Sequence, residues 1–168
     1  MATFRRRLTR EKVLQALYAH ELSNEPITDI METILGELKP HKDDFAFAVL
    51  LVRTVLGHEE EIEGYIKAKV AHWEISRIAV VDRMLLRMGI AELLYFPDIP
   101  PKVTINELIE VAKNYSTEKS GKFVNGVLDA ILEDVRSKGA LVKTGRGLIE
   151  ERVNAAEKPA GKKPTKAT

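Results

Sequence analysis

Apolar residues recur along nearly the whole chain at the three- and four-residue spacing of helices, and no segment alternates apolar and polar long enough to make a convincing strand. A first helix is predicted from about Thr9 to Leu22, with Val13, Leu14, Leu17, Tyr18 and Leu22 on one face and Asn24-Glu25-Pro26 ending it. A second, Thr28 to Lys39, turns Ile30, Ile34 and Leu38 inward before Pro40. The third starts near Asp43, whose carboxylate suits a helix N-terminus. Its run Phe45 to Val52 is apolar on every side, which predicts a helix surrounded by others. It is expected to pass through Gly57 into "HEEEIEGYIKAKV", where Ile62, Ile66 and Val70 share a face.

After Trp73 the most hydrophobic helix, Ile78 to about Tyr95, forms the hub of a second bundle, interrupted only by Asp82, Arg83, Arg87 and Glu92. "FPDIPP" is a turn. Thr104 with Glu107 three residues on has the capping-box pattern, predicting a helix start there and a helix through Tyr115. The last helix carries Val124, Val127, Leu128, Ile131 and Val135 on one stripe and ends near Arg136. The fold class is therefore all-α: two small helical bundles packed together, about seven helices, divided as residues 1–71 and 72–137. Residues 138–168, rich in Lys, Ala, Gly and Pro, bury too little to offset their ordering entropy and are expected to form a mobile tail, with a helical turn or two around Leu148 to Val153.

Composition narrows the chemistry. With 168 residues, 45% of them hydrophobic, the chain can bury a real core. It has no cysteine, which excludes disulfides, cysteine-ligated zinc and a thiol nucleophile. His20, His41, His58 and His72 lack the spacing of a metal site, and no metal or cofactor is assigned. "SGKF" lacks the upstream glycine and the magnesium-ligating hydroxyl of a phosphate-binding loop. Glu59-Glu60-Glu61 has no apolar setting that would separate carboxylate pKa values. No catalytic constellation emerges, so the expectation is a binding protein rather than an enzyme. The longest apolar run falls far short of the roughly 20 residues of a membrane span. With no apolar signal core near the N-terminus, a cytoplasmic location is expected.

Charge adds a direction. The net charge is +1, but residues 1–12 hold five basic side chains against Glu11, and residues 138–168 hold eight against three acidic ones. The body between them is left strongly acidic. Basic ends point to polyanions, although they also serve as solubilising termini.

Two local patches sharpen this. On the last helix, Phe123 falls about 100° from the buried stripe, near Lys119, Lys122 and Gly126. A ring, two ammonium groups and a side-chain-free glycine suit single-stranded nucleic acid, with phosphates on the cations and a base on the ring. Equally, Phe123 can close the core edge, with the lysines a solvated face and Gly126 a point of helix approach. Arg5, Arg6, Arg7 and Arg10 form the second patch, where guanidinium groups can fork onto phosphate. A flexible charged terminus is the plain alternative. Together the patches make nucleic-acid binding the leading reading.

The blocks "RRRLTREKVLQALYAHEL", "VDRMLLRMGIAELLY", "IPPKVTINELIEVAK" and "EKSGKFVNGVLDAI" resemble, in this order, the NusB family of bacterial transcription antitermination factors over roughly residues 5–135. The resemblance implies an all-helical, non-enzymatic protein that binds boxA-type single-stranded RNA in ribosomal RNA leaders. It also implies a heterodimer with NusE, a small-subunit ribosomal protein, joined to RNA polymerase with other Nus factors, and in some members a homodimer. By motif position, Arg5, Arg6, Arg7 and Arg10 match the family's arginine-rich RNA segment, and Lys122 and Phe123 its second RNA-contacting block. Tyr18 and Asp82 stand where the family meets NusE. Tyr18 can also simply finish the stripe of its helix with a wet hydroxyl, and Asp82 can pair with Arg83 or another arginine. The chain departs from the family pattern in Thr9, where a small apolar residue is common, and in its lysine-rich extension. A protein-interaction scaffold is the alternative. A stand-alone relative of the N-terminal module of RNA cytosine methyltransferases fits less well, since neither a cofactor-binding α/β domain nor a cysteine nucleophile follows.

Overall fold

The computed structural model describes residues 2–70 and 75–149. Every regular element among them is helical. The order is α1 (Ala2–Leu22), α2 (Ile27–Leu35), α3 (Lys42–Gly57), α4 (Glu59–Lys69), α5 (Val80–Tyr95), α6 (Pro101–Tyr115) and α7 (Glu118–Ser137). Short 3₁₀ turns occupy Gly36–Leu38, Ile75–Arg77 and Gly145–Leu148. The all-α architecture is as expected. Trp73, His72, the boundary at 71–72 and residues 150–168 lie outside the described residues.

Helix α5 is the centre. Ten consecutive residues, Met84 to Leu93, are buried, and α1, α3, α4, α6 and α7 all pack on it. Gly89 permits the closest approach: a Cβ there would lie 2.7 Å from Leu128 Cδ2 of α7. Around this axis Leu14, Leu17, Leu51, Val55, Leu85, Met88, Leu108 and Leu128 make one continuous core. Helix α4, expected to belong with the first helices, lies mainly against α5 and α7. Two ionic clusters replace apolar packing where charges are unavoidable. In one, the buried Arg87 donates to Glu63 at 2.6 Å and reaches Glu59 and Glu21, tying α1, α4 and α5 together.

Several boundaries differ from the sequence expectation for local reasons. Helix α1 begins well before Thr9, because arginine propagates a helix well and the ion pairs described below anchor its first turns. Thr9 is fully buried, and its hydroxyl donates back to the Arg5 carbonyl at 2.9 Å, so the polar side chain is satisfied within the helix. The expected single helix through Gly57 is broken at His58. There the His58 ring stacks on Tyr95 with centroids 4.0 Å apart, and the acidic triplet Glu59, Glu60 and Glu61 opens α4, where negative charge favours a new N-terminus. The Phe45–Val52 run is not enclosed: Ala46 is exposed and Leu50 is 54% exposed.

Helix α6 starts at Pro101, preformed for a first helical turn, so the capping box at Thr104 and Glu107 does not exist. Thr104 instead donates a hydrogen bond to Glu92 of α5, and Glu107 pairs with Arg7 of α1. Helix α7 is capped by Thr117, whose hydroxyl oxygen accepts the Ser120 N–H. Its end is a Schellman turn: the Gly139 N–H donates to the Arg136 carbonyl and that of Ala140 to Val135, with Gly139 at φ 66°.

The basic extension contains the largest departure. Residues 138–149 pack on the body as a strap. Lys143 is buried and its Nζ donates to the carbonyls of Glu92 (3.1 Å) and Phe96 (2.9 Å), at the negative end of α5. The Thr144 N–H donates to the Pro97 carbonyl, and a Cβ at Gly147 would lie 2.0 Å from that same oxygen. Composition understated this segment because its anchor is one buried lysine and a glycine contact rather than apolar area.

Candidate nucleic-acid interface

The four arginines of α1 share a helix but not a role. Arg7 and Arg10, one turn apart, face α6 and α5. Arg7 forks onto Glu107, Nε to Oε2 at 2.9 Å and Nη2 to Oε1 at 3.1 Å, with Glu110 at 4.0 Å. Arg10 is 2% exposed and forks onto the fully buried Glu92 at 2.7 and 2.9 Å. The hydroxyl of Thr104 donates to Glu92 Oε2 at 2.7 Å, completing the carboxylate's shell. The Glu107 hydrogen bond raises the Arg7 pKa above its ordinary value. Burial opposes the Arg10 charge, but the attraction and hydrogen bonds of Glu92 outweigh it, and its pKa is raised too. Both stay cationic and both are committed to the protein.

Arg5 and Arg6 are different. Each approaches Asp44 of α3 only loosely, through Nε at 3.8 and 3.5 Å, with side chains 55% and 38% exposed. The Arg6 guanidinium also lies 4.4 Å from the centroid of Phe47, whose ring packs edge-on against Phe96. The outer parts of both forks face solvent, in reach of a phosphate.

The second patch is at the start of α7. Lys119, Lys122 and Gly126 are exposed. The 3.7 Å pair of Lys122 with Glu118 joins two side chains that are almost fully solvated, which leaves the ammonium available. Phe123 is half-buried and packs against the core edge. No Cβ neighbour lies within 4 Å at Gly126.

Helix α6 relates the patches. It runs alongside α1 in the same direction, since Arg7 meets Glu107 while Glu11 accepts from Asn114 (3.1 Å) and Tyr115 (3.4 Å) further along. Helix α7 returns on its other side, with Gly121 against Ile109. Arg7 of α1 and the first turns of α7 therefore both pack on α6, whose Lys102, Asn106 and Lys113 are exposed, whereas Arg5 and Arg6 approach Asp44 of α3.

Of the two residues singled out for a protein partner, Tyr18 lies on α1 beyond the arginines and Asp82 lies in the first turn of α5, beside the start of α7. Tyr18 is 40% exposed and Leu22, one turn on, 59%. Asp82 is 6% exposed and accepts from the Ser116 hydroxyl at 3.1 Å, not from an arginine. Its place in the first turn of α5 explains why a cation is unnecessary: free N–H groups and the helix dipole favour the carboxylate there. Arg83 turns instead to Glu63 and Glu21. Glu21 stands one turn from Tyr18, so Tyr18 and the start of α5 share one end of the molecule.

Among the described residues there is no cluster of three or more metal-ligating side chains, and no helix is long and apolar enough to cross a membrane. Sequence reasoning missed Glu92, Glu107, Asp44 and Phe47 as partners of the arginines. A glutamate in the middle of an apolar helix was the available signal, because such a charge requires a buried cation.

Residues 7–133 match the model of the NusB family. A Chloroherpeton thalassium protein, Transcription antitermination protein NusB, is 43% identical over 150 residues, spanning 86% of this chain and 69% of its own length. The structure is similar to T. maritima NusB at TM-score 0.72 and 42% identity, over 77% of this chain and 91% of that one. It is also similar, at TM-score 0.67 and 31% identity, to a chain in the structure of antitermination factors NusB and NusE in complex with dsRNA, over 77% of this chain and 97% of that one. The arrangement of helices around α5 and the matched residues together make this chain a member of the NusB family.

Proposed function

We propose that this chain is a transcription antitermination factor that acts by binding, not catalysis. With NusE, it holds boxA-type single-stranded RNA of ribosomal RNA leaders for the transcribing polymerase and its other Nus factors. The observation that carries the RNA reading is the division of labour on α1: Arg7 and Arg10 are locked into carboxylates, while Arg5 and Arg6 keep their forks at the surface. Lys119, Lys122 and Phe123 then extend the contact across α6, with the half-exposed ring taking a base. An unpaired strand is favoured over a duplex because only unstacked bases can meet such a ring. A partner protein would meet Tyr18, Leu22 and the start of α5, where Asp82 adjoins the beginning of α7 through Ser116. The similarity to a chain solved in a complex of NusB and NusE with dsRNA supports RNA and NusE as partners.

Titrating labelled boxA-type RNA and a scrambled control, each with and without NusE, tests it. Selective binding that strengthens with NusE is expected. NusE binding with no RNA affinity would favour the scaffold alternative.

A further inference from the structure

Between α1, α3, α6 and the strap runs a groove of about 730 Å³, lined among others by Arg6, Phe47, Leu50, Val103, Arg146 and Ile149. Resting on the reading that this side binds single-stranded RNA, we propose that the groove is a nucleotide subsite in which Arg146 of the strap and Arg6 of α1 hold backbone phosphates and the apolar floor takes a base.

The strap is built to present this arginine. Lys143 fastens it to the C-terminal carbonyls of α5, Thr144 to the Pro97 carbonyl, and the tight contact of Gly147 with Pro97 leaves no room for a side chain. Gly145 supplies the left-handed turn, at φ 53°, immediately before Arg146. Arg146 is exposed and forms no ion pair with an acidic side chain among the described residues. The match to the family model stops at residue 133, before this cation.

The chemistry of the walls fits a nucleotide. Leu50 and Val103, 54% and 42% exposed, offer a flat apolar surface, and the Arg6 guanidinium over Phe47 offers a planar cation on which a base can stack. Three carboxylates also border the groove, Asp43, Asp98 and Glu107. Glu107 is neutralised by Arg7, whereas Asp43 and Asp98 are exposed acceptors suited to the amino groups of a base edge. The cations answer the phosphate of a nucleotide, the apolar face the plane of its base, and the acceptors the amino groups of its base edge.

The test compares the full chain with Arg146→Gln and Arg146→Lys, titrating labelled boxA-type single-stranded RNA at several salt concentrations. Arg146→Gln should weaken binding about 3- to 10-fold and flatten the slope of log K against log[salt] by about 0.7, the share of one phosphate on a single strand. Arg146→Lys should restore the slope, and neither change should shift the melting temperature. Unchanged affinity and slope in Arg146→Gln, beside a clear loss in Arg6→Gln, would overturn the subsite while leaving the RNA reading intact. Absence of RNA binding by the unaltered chain would overturn that reading and the subsite with it.

Discussion

Arg10 and Glu92 meet fork to fork in the interior, at 2.7 and 2.9 Å, one from α1 and one from the central helix α5. A residue that looks like a phosphate ligand in the sequence thus fastens the first helix to the hub. Arg10→Ala should cost about 3–5 kcal/mol of folding stability, because Glu92 would remain charged and buried without its partner. Arg6→Ala should cost under about 1 kcal/mol, since its contact with Asp44 is long, at 3.5 Å, and Arg5 still faces that carboxylate. Urea unfolding of the two variants checks the contrast; equal small losses would contradict the assignment of Arg10 to the core.

Phe123 is half-buried, so its two roles can be separated. Phe123→Ala should weaken RNA binding by about 1–3 kcal/mol if the exposed part of the ring stacks on a base. Phe123→Leu should keep most of the packing and still lose the stacking. A lower melting temperature with unaltered RNA affinity would place the ring wholly in the service of the core.

The strap predicts different outcomes for two truncations. Ending the chain after Ile149 keeps the strap and serves as the reference. Ending it after Ser137 should lower the melting temperature, because the carbonyls of Glu92 and Phe96 lose the Lys143 donor and Leu141 leaves the core edge. The helical content of α1–α7 should survive both cuts by circular dichroism. Identical melting of the two truncated chains would show that the strap adds nothing to the fold.

Tyr95 supplies a pH signature. Partial burial and a hydrogen bond to Glu61 push its pKa up from 10.0 to about 12. The protonated phenol is the form the fold favours, so its stabilising contribution is complete below pH 10 and disappears as pH rises through about 12. Ultraviolet titration of the phenolate band should show one tyrosine ionising late, and Tyr95→Phe should remove that step. A late step that persists in Tyr95→Phe would contradict this origin.

Much of this was legible in the chain. The hub around Leu85 and Met88 and the stripe of α7 follow from spacing alone, because burial of a helix face leaves a periodic record. Pairings were not legible. Nothing local says that Arg10 selects Glu92 across 82 positions, that Thr104 turns to the same carboxylate instead of capping its own helix, or that Asp82 takes a serine. Those choices depend on which helices lie side by side. The strap escaped for a related reason: its composition resembles that of a solvated tail, and one lysine at the end of α5 reverses the outcome.

The dependence of RNA affinity on salt tests the central claim most directly. If the exposed arginines and the lysine corner together meet about 4–6 phosphates of one strand, log K should fall with log[salt] at a slope of roughly −3 to −4. Replacing both Arg5 and Arg6 by glutamine should make that slope shallower by about 1.4 while the helical content holds. A flat salt response in the unaltered chain, or an undiminished slope in the double variant, would contradict the account.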